Sequence, residues 1–119
     1  MGKTVMIVDD QIGIRLLLEE VVKSEGYQVE VAENGKEALD KIINQLPDLL
    51  IIDFKLPIMD GYAVVQQVEQ QNIQIPTIVM SGLSEEAAKK MEAFDMVKEV
   101  FAKPFDIEEA RVTINKLIG

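Results

Sequence analysis

Polar residues follow apolar runs at four places in this chain. Asp9-Asp10 follow TVMIV, Asp53 follows LLII, Ser81 follows TIVM and Lys103 follows EVFA. An unbroken apolar run of this length fits a strand buried on both faces of a sheet. An ionised carboxylate has no place inside such a strand, because burying it unpaired costs many kcal/mol. Asp53 therefore belongs at the strand's C-terminal end, the edge where open α/β sheets hold their ligands. Carboxylates gathered there repel one another unless positive charge sits among them. A hard divalent cation such as Mg²⁺, bound by one or two carboxylates, waters and a phosphate, is one remedy. Lys103 is another, and Ser81 adds a hydroxyl donor. Singly, each residue has an ordinary role as a turn cap or a solvated charge. Their coincidence on four strand ends points to a site.

Composition narrows the chemistry. The 119 residues suffice for one compact domain, expected to span residues 1–119, and 48% are apolar, enough for a packed core. There is no histidine, which removes His-based triads, most zinc sites and any phosphohistidine on this chain. There is no cysteine, so disulfide and thiol chemistry are excluded and nothing argues for secretion. Twelve basic against twenty-one acidic residues give a net charge of −9, which opposes nucleic acid and anionic membranes as partners. No apolar run approaches the roughly 20 residues of a membrane span, and the N-terminus has no signal-peptide pattern. A cytoplasmic protein is expected.

The elements that must position these residues alternate. After the first strand, Ile14, Leu17, Leu18, Val21 and Val22 fall at helical spacing, and Gly26 marks the stop. Tyr27, Val29 and Val31 alternate with Gln28 and Glu30, as in a half-exposed edge strand. Asn34, with Glu37 three residues on, has the form of a helix cap, before an apolar face of Ala38, Leu39, Ile42 and Ile43 that Pro47 ends. After the Asp53 strand, Asp60 caps a third helix facing inward through Ala63, Val64, Val65 and Val68. Ser84 caps a fourth running through Ala87, Ala88, Met91 and Phe94. Val97, Val100, Phe101 and Ala102 form a mixed fifth strand, and Asp106 and Glu109 open a last helix carrying Val112, Leu117 and Ile118. Such alternation predicts a flavodoxin-like (βα)5 doubly wound parallel sheet. The edge-like second strand suits the strand order 2-1-3-4-5. Strands one and three are then neighbours, about 4.8 Å apart, and Asp9, Asp10 and Asp53 converge.

The same residues carry a resemblance. IVDD, IID-x-x-LP-x-MDG, MSG and FAKPF, in order over the whole chain, resemble the receiver domains of two-component response regulators. DDQ-x-GIR, EGY, NG-x-x-ALD and AKPFDI are closer still to the stand-alone receivers of the sporulation phosphorelay. The resemblance implies that Asp53 is the phosphoacceptor, attacking a kinase phosphohistidine. It implies that Asp10, Asp53 and the Lys55 backbone carbonyl ligate Mg²⁺, or Mn²⁺ in its place, with Asp9 helping directly or through water. Lys103 then pairs with Asp53 and later with a phosphoryl oxygen, and Ser81 hydrogen-bonds another. Such a domain catalyses its own phosphorylation and dephosphorylation and is no turnover enzyme. Lys103-Pro104 is expected to be cis, as in the family. Three positions depart from the common pattern. Val100 stands where many receivers have an aromatic switch residue, Gly82 replaces the usual alanine and is expected to loosen its loop, and Phe54 is bulkier than in some members.

A chain ending after its fifth helix is expected to be a monomer without an output domain, acting through other proteins. The partners implied are a sensor histidine kinase and a histidine phosphotransferase, docking on Gln11, Gly13, Ile14, Leu17, Pro104 and Phe105. Lys55 and Leu83 are expected to flank the route of attacking water and prolong the phosphoaspartate. A single-domain regulator that binds a target without onward transfer is the alternative. A dehalogenase-type phosphatase would need D-x-D-x-[TV] after the first strand, and Asp10-Gln11-Ile12 does not supply it. A dinucleotide or flavin binder would need a Gly-rich or Ser/Thr-rich phosphate loop there, and DDQIG is neither.

Overall fold

The computed structural model describes residues 2–82 and 84–119. Its elements are β1 (Thr4–Val8), α1 (Ile12–Ser24), β2 (Gln28–Ala32), α2 (Gly35–Asn44), β3 (Leu49–Asp53), α3 (Gly61–Gln70), β4 (Thr77–Ser81), α4 (Ser84–Met91), β5 (Val97–Ala102) and α5 (Ile107–Ile118). All strand pairings are parallel and the order is β2-β1-β3-β4-β5, as the sequence predicts.

The apolar runs are continuous because successive residues go to opposite faces of the sheet. Val5, Ile7, Leu49, Ile51, Ile78 and Met80 pack with Leu18, Val21, Val22, Ala110, Ile114 and Ile118 of α1 and α5. Met6, Val8, Leu50, Ile52 and Val79 pack with Ala38, Ile42, Val64, Val65, Val68, Ala87 and Met91 of α2, α3 and α4. β3 is buried at every position, whereas β2, on the sheet edge, alternates between exposed and half-buried residues until Ala32. β5 is mixed for a further reason. Its pairing with β4 slips between Thr77 and Ile78, so Val97 and Glu99 are paired and Lys98 is passed over.

Helix starts follow the caps. The Asn34 side chain accepts from Glu37 N–H, Asp60 from Ala63 N–H, and Asp106 from the N–H groups of Glu108 and Glu109. Glu37 reaches back one residue further than a capping box requires, accepting from Glu33 N–H at 2.9 Å. Gly26, at φ +90°, follows the end of α1. The Ser84 side chain expected as a cap lies outside the described residues.

Two residues expected on apolar helix faces are instead exposed. Ile43 and Val112 are 49% and 61% exposed, and α5 turns Ala110 and Ile114 inward in place of Val112. Phe94 lies beyond α4, which stops at Met91, yet remains buried with its ring edge-on to Tyr62 at 5.4 Å.

Candidate functional site

The register of β1 on β3 pairs Val8 with Ile52, so Asp9 and Asp53 leave adjacent strands at the same level. One carboxylate oxygen from each of Asp9, Asp10 and Asp53 lies within 4.8 Å of the others. β4 and β5 bring Ser81 and Lys103 to the same rim. Asp10, Gln11, Asp53, Lys55, Ser81, Gly82 and Lys103 line an open cleft of about 290 Å³ there. All the acidic, lysine and serine positions read from the strand ends are thus brought together.

The charges are unevenly shared. Asp9 is fully buried, and Asp53 is 6% exposed. The Lys103 ammonium donates to Asp53 Oδ2 at 2.7 Å and to Asp9 Oδ2 at 3.1 Å. Asp9 Oδ1 accepts from Gln11 N–H at 2.9 Å, and Asp53 Oδ1 from Lys55 N–H at 3.3 Å. The sequence offers Lys103 as a positive charge among the carboxylates, and the family resemblance pairs it with Asp53; in the structure it bridges Asp53 and Asp9. Asp10 is exposed and makes no hydrogen bond or ion pair among the described residues.

Burial raises the Asp53 carboxyl above the usual carboxylate range, and the Asp9 charge adds to this, against the Lys103 hydrogen bond. Burial alone would lower Lys103, but its hydrogen bonds to Asp53 and Asp9, and their charges, outweigh it and raise it. The lysine therefore stays charged throughout the neutral range. One ammonium does not balance three carboxylates. The oxygen-only donor set, with Asp10 uncommitted, fits a small hard cation.

The backbone holds the acceptor strand firmly. Phe54 N–H donates to Met80 carbonyl at 2.8 Å, and Gly61 N–H returns to the Phe54 carbonyl at 2.9 Å. A Cβ on Gly61 would lie 2.5 Å from the Asp53 carbonyl oxygen, so only glycine lets α3 start this close.

The chain matches the family described as "Response regulator receiver domain" over residues 5–115. It belongs to that family. The receiver is 39% identical over 126 aligned positions to Sporulation initiation phosphotransferase F of Bacillus subtilis, covering 99% of this chain and 95% of that one. It is 35% identical to the DNA-binding transcriptional regulator NtrC of Klebsiella pneumoniae, covering 95% of this chain but only 24% of that one. Among solved structures it is similar to response regulator TrrA of Thermotoga maritima in complex with Mg(2+)-BeF. That likeness has a TM-score of 0.85 at 32% identity, over 98% of this chain and 99% of that one. Receiver domains are phosphorylated on aspartate and bind Mg²⁺ at their acidic pocket. No helix among the described residues is long and apolar enough to cross a membrane.

The positions that depart from the receiver pattern have simple surroundings. Val100 is half-buried against the α2–α3–α4 side of the core. Phe54 is buried there too, with the Lys90 ammonium 5.8 Å from its ring centre. A Cβ on Gly82 would meet nothing within 4 Å, so alanine would fit. Lys103-Pro104 is cis, as expected. Leu83 lies outside the described residues.

Of the residues expected to dock partners, Gln11 lines the cleft, while Pro104 and Phe105 line a neighbouring hollow with Val100 and Asp106. Gln11 and Gly13 are exposed, and Ile14 and Phe105 are half-buried on the same side of the core. Leu17 and Pro104 are exposed beside them in sequence. Arg15, missed in the sequence, donates to the Asp9 carbonyl at 2.7 Å. Its position in the first turns of the helix that follows an acidic strand end is the signal that could have found it.

Proposed function

We propose that this receiver takes a phosphoryl group from the phosphohistidine of a sensor histidine kinase onto Asp53 and relays it to a histidine phosphotransferase. One observation supports this most: Asp53 is buried, paired to Lys103, and opens on a cleft that the uncommitted Asp10 also lines. Asp53 is the nucleophile. Its bond to phosphorus forms as the donor's P–N bond breaks, and that electron pair returns to the imidazole nitrogen. No general base is required, because the ionised carboxylate carries no proton to remove.

Lys103 holds the carboxylate in place and afterwards meets a phosphoryl oxygen, with Ser81 donating to another. Asp10, Asp53 and the Lys55 carbonyl, with Asp9 directly or through water, would hold Mg²⁺ or Mn²⁺. The cation supplies positive charge against the equatorial oxygens. Onward transfer to a second histidine is the same exchange reversed. The likeness to a Bacillus phosphotransferase along nearly the whole of both chains supports the relay. We take residues 1–119 as one receiver acting as a cytoplasmic monomer, with Gln11, Gly13, Ile14, Leu17, Pro104 and Phe105 meeting the partner's helices.

The reading is tested by mass spectrometry after incubation with acetyl phosphate and Mg²⁺. One phosphate adduct is expected, absent from Asp53→Asn and from a chelator control. No adduct under any condition would overturn the acceptor assignment. The phosphorylated chain is then mixed with purified histidine phosphotransfer domains. Appearance of phosphohistidine supports the relay. Stable binding without transfer would favour a regulator that acts by binding its target. The Lys55 side chain is exposed at the cleft, and Lys55→Ala is expected to shorten the phosphoaspartate lifetime. An unchanged decay rate would remove Lys55 from that role.

A further inference from the structure

We propose that Arg15 is a positioning residue that sets Asp10 for the divalent cation by clamping the carbonyl of Asp9. The Arg15 side chain is only 11% exposed, an expensive place for a guanidinium. Its NH1 donates to the Asp9 carbonyl at 2.7 Å. Its NH2 faces Glu33 Oε1 at 3.8 Å, too long and too exposed a contact to account for the burial.

Asp9 is thereby held at every polar atom. Its N–H donates to the Ala32 carbonyl at 3.2 Å, Oδ1 accepts from Gln11 N–H at 2.9 Å, and Oδ2 from Lys103 at 3.1 Å. The carbonyl is the fourth anchor, and Arg15 supplies it. Because the peptide unit is planar, fixing that carbonyl fixes the amide plane from which Asp10 departs. Asp10 has no partner of its own among the described residues, yet its carboxylate comes within 4.8 Å of those of Asp9 and Asp53. Its aim is set through the backbone. Mg²⁺ demands near-ideal octahedral geometry, so a small rotation at Asp10 weakens it. Outer groups that orient metal ligands typically change metal affinity 10–100-fold.

The guanidinium charge acts in the opposite sense, since a cation close to a cation site opposes binding. The two effects predict opposite outcomes, which makes the role testable. The proposal rests on the acidic cleft being the Mg²⁺ site. Mg²⁺ is titrated calorimetrically into wild type, Asp10→Asn, Arg15→Ala, Arg15→Gln and Arg15→Lys, with thermal melts of each in chelator.

Arg15→Ala is expected to raise the Mg²⁺ Kd about tenfold, with Arg15→Lys and Arg15→Gln, which keep a donor, recovering part of it. An unchanged Kd with a lowered melting temperature would make Arg15 merely structural and overturn the proposal. Tighter binding in Arg15→Ala and Arg15→Gln would show that its charge dominates, and would overturn it too. Should Arg15→Ala fail to fold, the Lys and Gln variants carry the comparison. Absence of Mg²⁺ binding in wild type would remove the cleft assignment itself, and with it this role.

Discussion

At the scale of single residues, Asp53 stands out for being both ionised and unwelcome. Its raised pKa means that the folded protein holds the proton more tightly than the unfolded chain does. The sign follows from linkage: its stabilising contribution is present below the unfolded pKa and lost as pH rises through the folded one. At neutral pH without metal, Asp53→Asn is therefore expected to melt higher than wild type. That gain should shrink as pH falls through the raised Asp53 pKa, and melts across pH in chelator would check it. A gain that persists at acid pH would mean that the asparagine stabilises by some route other than charge.

Ile58 is a second residue under tension. It has φ +70°, is 78% exposed, and sits between Pro57 and Met59, whose N–H closes on the Pro57 carbonyl at 2.7 Å. A three-residue turn with a positive central φ is rare and strained, most of all for a β-branched side chain. Ile58→Gly is expected to stabilise the fold by about 1 kcal/mol, read as an upward shift in the denaturant midpoint.

At the scale of elements, α2 shows how a local cap ties the edge strand to the domain. Asn34 starts the helix, Glu37 accepts from Glu33 N–H, and Lys41 pairs with Glu37 and donates to the Val31 carbonyl at 2.6 Å. Asn34→Ala is expected to cost about 1 kcal/mol, within the usual range for a lost cap, with Asn34→Asp costing less. The Glu33 N–H lowers the Glu37 pKa against the effect of burial, with Lys41 helping. Its contribution is present above the unfolded pKa and is lost as pH falls through the folded one. The caps at Asn34, Asp60 and Asp106 were legible because they depend on neighbours within three residues. The faces of α2 and α5 were less so. Helical spacing marks an apolar stripe, but only the docked angle decides that Ile43 and Val112 fall outside it.

At the scale of the whole molecule, the sheet is both the core and the platform of the site. Leu50 and Ile52 are fully buried between the central strands and the α2–α3–α4 layer. Ile52→Ala is expected to cost about 2–5 kcal/mol, a large share of a typical stability of roughly 5–15 kcal/mol. It would also loosen the strand that carries Asp53, so acceptor labelling should fall along with stability. Mg²⁺, by binding the folded state alone, is expected to raise the wild-type melting temperature with its concentration. The same titration on Asp10→Asn should show little shift. Equal shifts in both would place the cation elsewhere.

The sequence by itself determined the strand runs, their order and the polar residues that end them. Those depend on burial and on chain connectivity, which leave their mark in composition and periodicity. The tertiary structure decided how the charges are shared. Lys103 bridges Asp9 and Asp53, Asp10 is left open, and Arg15 reaches the Asp9 carbonyl from the next helix. No local pattern encodes the Lys103 bridge, because it joins residues that only the parallel register of β1, β3, β4 and β5 brings within reach.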